Sequence, residues 1–172
     1  MASTFSILAF FFFPVLMISA SICDVTTMRI PNKLVLVLLF GYAACAPLSG
    51  LSLFEIATSM LAAVTVFCLA FGAFACGWMG GGDVKLMAAT ALWLGLPQLP
   101  AFLFWTSLFG ALLTLTLLLY RAVPLPESLK GYGDWVSHLH QRTTRVPYGA
   151  AIGPAALLVF ASTPWMTALR AL

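Results

Sequence analysis

"LMAATALWLGLPQLPAFLFWTSLFGALLTLTLLLY", residues 86–120, runs for 35 positions without a charged side chain. One helix needs about 20 apolar residues to cross a hydrocarbon core about 30 Å thick, so this run is too long for a single crossing. Pro97-Gln98-Leu99-Pro100 divides it, because proline lacks the N–H that a helix interior uses and paired prolines mark a turn. The run predicts two helices joined by a tight turn. The parity of the whole chain depends on that division.

Working outward, the intervals 1–23, 34–54, 56–82 and 146–169 are also free of charge and each suits one helix. Six helices are therefore expected, at about 4–22, 34–50, 56–76, 84–96, 101–120 and 147–169. Of 172 residues 62% are hydrophobic and 8% charged, with a mean hydropathy of +1.05. A soluble domain carries about 25% charged residues. The composition excludes a water-soluble domain and predicts an all-α, polytopic integral membrane protein forming one domain over 1–172. The first 23 residues lack the basic start and the small-x-small site of a secretory signal, so they read as a retained first helix.

Eight Lys/Arg against five Asp/Glu give a net charge of +3, too weak a balance to suggest a nucleic-acid partner. Basic residues in such chains mark cytoplasmic loops. With six spans, the loops 23–33, 77–85 and 121–146 share one side and hold Arg29, Lys33, Lys85, Arg121, Lys130, Arg142 and Arg145. The other side holds only Arg170. The three loops are thus expected in the cytoplasm and both termini outside. Cys23, Cys45, Cys68 and Cys76 form no C-x-x-C pair and read as packed, reduced side chains.

This topology brings two carboxylates to one membrane face: Asp24, expected just past the first helix, and Asp83, at the start of the fourth. Asp83 ends "GWMGGGD", residues 77–83, where four glycines interrupt an otherwise apolar chain. Taken alone, that run is equally a flexible turn whose aspartate caps the next helix. The fourth helix, 14 residues from Asp83 to Leu96, would span only about 21 Å, which suggests a dip of this segment into the membrane under protein cover. Intramembrane ionisable residues are costly and are functional candidates. Paired carboxylates can hydrolyse a peptide: one holds a proton while the other, ionised, activates water.

"CDVTTMRIPNKL" (residues 23–34) followed by "GWMGGGDVKLMAA" (77–89) resembles the two aspartate motifs of the type IV prepilin peptidases, members of the GxGD aspartic membrane proteases. The likeness places Asp24 before the Ile30-Pro31-Asn32 turn, and Asp83 after Gly80-Gly81-Gly82 and ahead of Lys85. "VPYGAAIGPAA" (146–156), with Pro147 and Gly149, is similar to the P-x-G segment that opens the family's last helix. The resemblance implies a GxGD-type fold, an Asp24/Asp83 dyad, and cleavage of short leaders from prepilins or pseudopilins at the cytoplasmic face of a bacterial inner membrane. It also implies that the substrate main chain passes beside Gly80–Gly82. The paired C-x-x-C zinc motifs that accompany methyl transfer in bifunctional relatives are missing, so the chain is more similar to the short tight-adherence (Flp pilus) branch. No metal and no cofactor are then expected.

His138 and His140, near Asp134, offer too few ligands for a metal and read as a solvated loop. The basic 121–145 loop suits anionic lipid headgroups. Lys85 reads first as a cytoplasmic anchor, and Gly149-x-x-x-Gly153 as a helix-packing face. Two other functions stay open: a different GxGD protease, such as a preflagellin peptidase, and a transporter or assembly subunit using the aspartates as ion ligands.

Overall fold

The computed structural model describes residues 2–122, 140 and 146–166. Among these residues six helices follow one another: α1 (Ala2–Thr27), α2 (Asn32–Leu48), α3 (Leu53–Ala75), α4 (Gly81–Leu94), α5 (Leu99–Ala122) and α6 (Gly149–Phe160). A single 3-10 turn, Leu96–Gln98, joins α4 to α5. That turn sits where the two prolines divide the long apolar run. Gly95 just before it has φ 79°, a left-handed conformation that a side chain would strain.

Among the described residues three helical stretches are long and apolar enough to cross a membrane: Ile7–Thr27, Leu53–Ala75 and Leu96–Ala122. Their outward faces carry large exposed apolar side chains such as Phe11, Leu69 and Leu119. Such a surface suits a lipid surrounding rather than water. α2 and α6 are apolar but shorter, at 17 and 12 residues, and α4 has 14.

The short helices are the central ones. α4 buries Val84, Leu86, Met87, Ala89, Ala91, Trp93 and Leu94, and α6 buries Ile152, Ala155, Ala156, Val159 and Phe160. The longer α1 packs on α6 along one stripe, Ala9, Phe13, Met17, Ala20 and Asp24, spaced as a helix face requires. Asp24 therefore continues a core-facing row.

Two expected helix ends are corrected. Asp24 lies within α1, which continues to Thr27. One carboxylate does not stop a helix when no Pro or Gly follows it closely. The Thr26 and Thr27 hydroxyls meanwhile donate to the Ile22 and Cys23 carbonyls. Met28, at φ 54°, makes the turn. The sixth helix was expected over 147–169, but α6 ends at Phe160, and Ala161–Thr163 form a turn before helical backbone resumes at Pro164. A residue preceding proline is pushed away from helical geometry. The Thr163 hydroxyl closes the end by donating to the Phe160 carbonyl at 2.7 Å. The remaining helices match their expected positions within three residues at each end.

Connections gather at two poles. Around one lie the α1–α2 and α3–α4 junctions and the start of α6. Around the other lie the α2–α3 and α4–α5 junctions and the end of α6. This alternation is what antiparallel neighbours with short connections produce.

The second pole is built on aromatic rings, beside a groove of about 420 Å³ lined by Leu51, Trp93, Leu96 and Trp165. Phe13 stacks on Phe160 with centroids 4.5 Å apart, and Trp93 contacts Phe13, Tyr42 and Trp165 at 5.4, 5.7 and 5.1 Å. The Trp93 indole N–H donates to the Leu38 carbonyl at 3.0 Å, and that of Trp165 to the Trp93 carbonyl at 2.9 Å. Buried indoles need such partners.

Candidate active site

The first pole holds a cavity of about 470 Å³ lined by both aspartates. Asp24 comes from the last turn of α1, Asp83 from the first turn of α4, and both are buried, at 5% and 8% exposure. The remaining wall is Met28, Arg29, Ile30 and Asn32, the segment Gly77–Gly82, and Val146, Pro147 and Tyr148. A water takes about 30 Å³ of liquid, so the space admits water beside a stretch of polypeptide.

Each carboxylate is held by backbone. The Gly149 N–H, at the start of α6, donates to Asp24 Oδ2 at 2.6 Å. The short distance fits a bond to a charged or strongly polar acceptor. Asp83 Oδ2 accepts from the Gly80 N–H at 3.3 Å. Gly80 is the N-cap of α4 and Asp83 stands three residues on, so the aspartate reaches back to an amide that the helix leaves unpaired. Negative charge at a helix N-terminus is also favoured by the helix dipole.

The glycines serve close packing here. A Cβ on Gly80 would stand 2.9 Å from Asp83 Oδ2; one on Gly81 would meet the Phe74 ring at 3.4 Å, and one on Gly82 the Ile30 Cβ at 3.4 Å. Gly77, with φ 77°, needs conformational freedom to turn the chain out of α3. At Gly149 a Cβ would stand 2.9 Å from Asp24 Cβ and 3.0 Å from its Cγ. Only glycine lets α6 begin so near that carboxylate.

Other expected site residues sit beside the cavity. Pro31 is the N-cap of α2. Lys85 points its ammonium to Asn32 Oδ1 at 3.2 Å, tying α4 to α2. Asn32 lines both this cavity and an apolar groove between α2, α3 and α4. Gly149 and Gly153 both face α1, as their spacing suggested. His138 and Asp134 lie outside the described residues, as do Lys130, Arg142 and Arg145. Among the described residues no three His, Cys, Asp or Glu side chains converge as a metal site would require.

Several lining residues were not singled out from sequence. Trp78, Met79 and Tyr148 carried no site reading, and Arg29 counted only as a topology charge. Ser21 donates to the Gly149 carbonyl at 3.1 Å. Its signal was there to read, one turn before Asp24 on the same helix face.

A model of the type IV leader peptidase family matches residues 11–115, a segment that includes both aspartates. The chain belongs to that family. It is 33% identical over 115 residues to a prepilin leader peptidase/N-methyltransferase of Bacillus subtilis (strain 168), covering 64% of this chain and 46% of that protein. The protein of the same description from Aeromonas hydrophila is 34% identical over 110 residues, covering 61% of this chain and 38% of its own length. The matched part is thus less than half the length of either relative. No solved structure matches the chain. The family match ends before α6.

Proposed function

We propose that the chain is a membrane-embedded aspartic endopeptidase that removes short leaders from type IV prepilins or pseudopilins. Family membership supports this reading, and one observation carries it: two buried aspartates, 59 residues apart in sequence, line the same cavity. Six membrane-crossing helices on a GxGD-type fold would set that cavity at the cytoplasmic face, since the loops around it are the basic ones. The extracytoplasmic ends would then meet at the aromatic pole. The Flp-type prepilins are the proposed substrate branch.

In the proposed reaction, the ionised member of the Asp24/Asp83 pair takes a proton from water, and the oxygen attacks the scissile carbonyl. The protonated member donates to the carbonyl oxygen and stabilises the tetrahedral intermediate. Collapse breaks the C–N bond, and the amine leaves with a proton returned from the dyad. The substrate main chain passes beside Gly80–Gly82, and Arg29 lines the same cavity.

The test is leader removal from a Flp-type prepilin by wild-type, Asp24→Asn and Asp83→Asn proteins that insert equally. Loss of cleavage in both variants is expected. Full cleavage by either would overturn the dyad. A change in ion flux with leader processing intact would instead favour a transporter, and cleavage confined to preflagellins would reassign the substrate.

A further inference from the structure

Gly149 grips α1 through both sides of its own backbone. Its N–H donates to Asp24 Oδ2 at 2.6 Å, and its carbonyl accepts from the Ser21 hydroxyl at 3.1 Å. A helical serine ordinarily bonds back to the carbonyl four residues earlier. Ser21 does so, to Met17 O at 3.0 Å, and shares the same proton with Gly149. Gly153 makes the room, because a Cβ there would overlap the Ser21 hydroxyl and stand 3.1 Å from the Met17 carbonyl oxygen. One glycine admits the serine, and the serine holds the other glycine. That second glycine in turn holds the carboxylate.

We infer that Ser21 is a positioning residue for the proposed reaction: by holding the Gly149 carbonyl it fixes the Gly149 N–H, and through it the Asp24 carboxylate. This rests on the peptidase reading. The need for such a device follows from where Asp24 sits. It is three residues from the end of α1, next to the strained Met28 turn, and helix ends fray. A misplacement of about 1 Å in a catalytic group can cost about a hundredfold in rate. Tying the end of α1 to the start of α6 at two points, one turn apart, resists that movement. Ser21 itself touches neither substrate nor water in this scheme.

The experiment uses the full chain in proteoliposomes with a Flp-type prepilin as probe, reading kcat, KM and melting temperature. Ser21→Ala should lower kcat roughly three- to tenfold, the worth of one hydrogen bond, with KM and melting temperature unchanged. Gly149→Ala should lower kcat further. The double variant should be no slower than Gly149→Ala, because both changes act through one contact. A wild-type kcat in Ser21→Ala would overturn the inference, as would losses that multiply in the double variant or that track a falling melting temperature. Asp24→Asn is the control. If it cleaves normally the peptidase reading itself fails; if it is inactive while Ser21→Ala is unaltered, only the positioning role fails.

Discussion

The two poles of the bundle are built on opposite plans. At one, large rings pack between helices beside a groove of about 420 Å³, and two indole N–H groups reach carbonyls on neighbouring elements. At the other, glycines bring helix starts close together, yet a cavity of about 470 Å³ remains, with two buried carboxylates on its wall. Packing alone would fill the space around the carboxylates, since empty space forfeits dispersion contacts. An open polar end held by backbone amides is what a site for a polypeptide and water needs. The aromatic end makes that opening tolerable by fixing α1, α2, α4 and α6 against one another. The lesson is a division of labour along the helix axes, with stability at one end and chemistry at the other.

Substitutions that respect this division should separate activity from stability. Asp24→Asn or Asp83→Asn should reduce leader cleavage at least about a thousandfold, in the range seen for single catalytic-group deletions, with little change in melting temperature. Gly149→Ala comes next. Its Cβ would press on Asp24 Cβ and Cγ, so cleavage should fall about a hundredfold, measured as kcat at equal protein. Trp93→Ala should do the reverse. It removes a buried ring at the aromatic pole and should cost about 3–5 kcal/mol of stability, read by thermal unfolding in detergent, while correctly folded molecules still cleave. Equal damage to kcat and stability in that variant would break the contrast between the poles. Smallest should be Gly80→Ala. Its Cβ meets only the movable end of the Asp83 side chain, so cleavage should fall a few-fold, through one weakened hydrogen bond, at unchanged stability.

Much of this division was legible in the sequence. The charge-free run 86–120 and its two prolines gave two helices, and the other charge-free intervals gave the rest to within a few residues, because helix periodicity and proline chemistry are local. The two aspartates were placed on one side by counting basic residues, which is also a one-dimensional property. The two misplaced ends have local causes that charge counting overlooks. Asp24 was set outside its helix because a charge was read as an interface, whereas its side chain follows the buried row of Phe13, Met17 and Ala20. The last helix was drawn through Thr163-Pro164, a known weak point for a helix. What the sequence could not show is that Gly149 reaches Asp24 across 125 positions, or that Lys85 turns to Asn32. Those contacts depend on how helices dock, and no spacing within one helix encodes them. The glycine run was likewise visible, but not which neighbour each glycine admits.

The proposed chemistry requires the two aspartates to form one catalytic unit. The direct measurement is the single-turnover rate of leader removal by Asp24→Asn, Asp83→Asn and the double variant, each shown to insert and to melt like wild type. Groups that act together lose their effect together, so both single variants and the double should fall to the same residual rate. Wild-type cleavage by either single variant, or separate partial losses that multiply in the double, would contradict it.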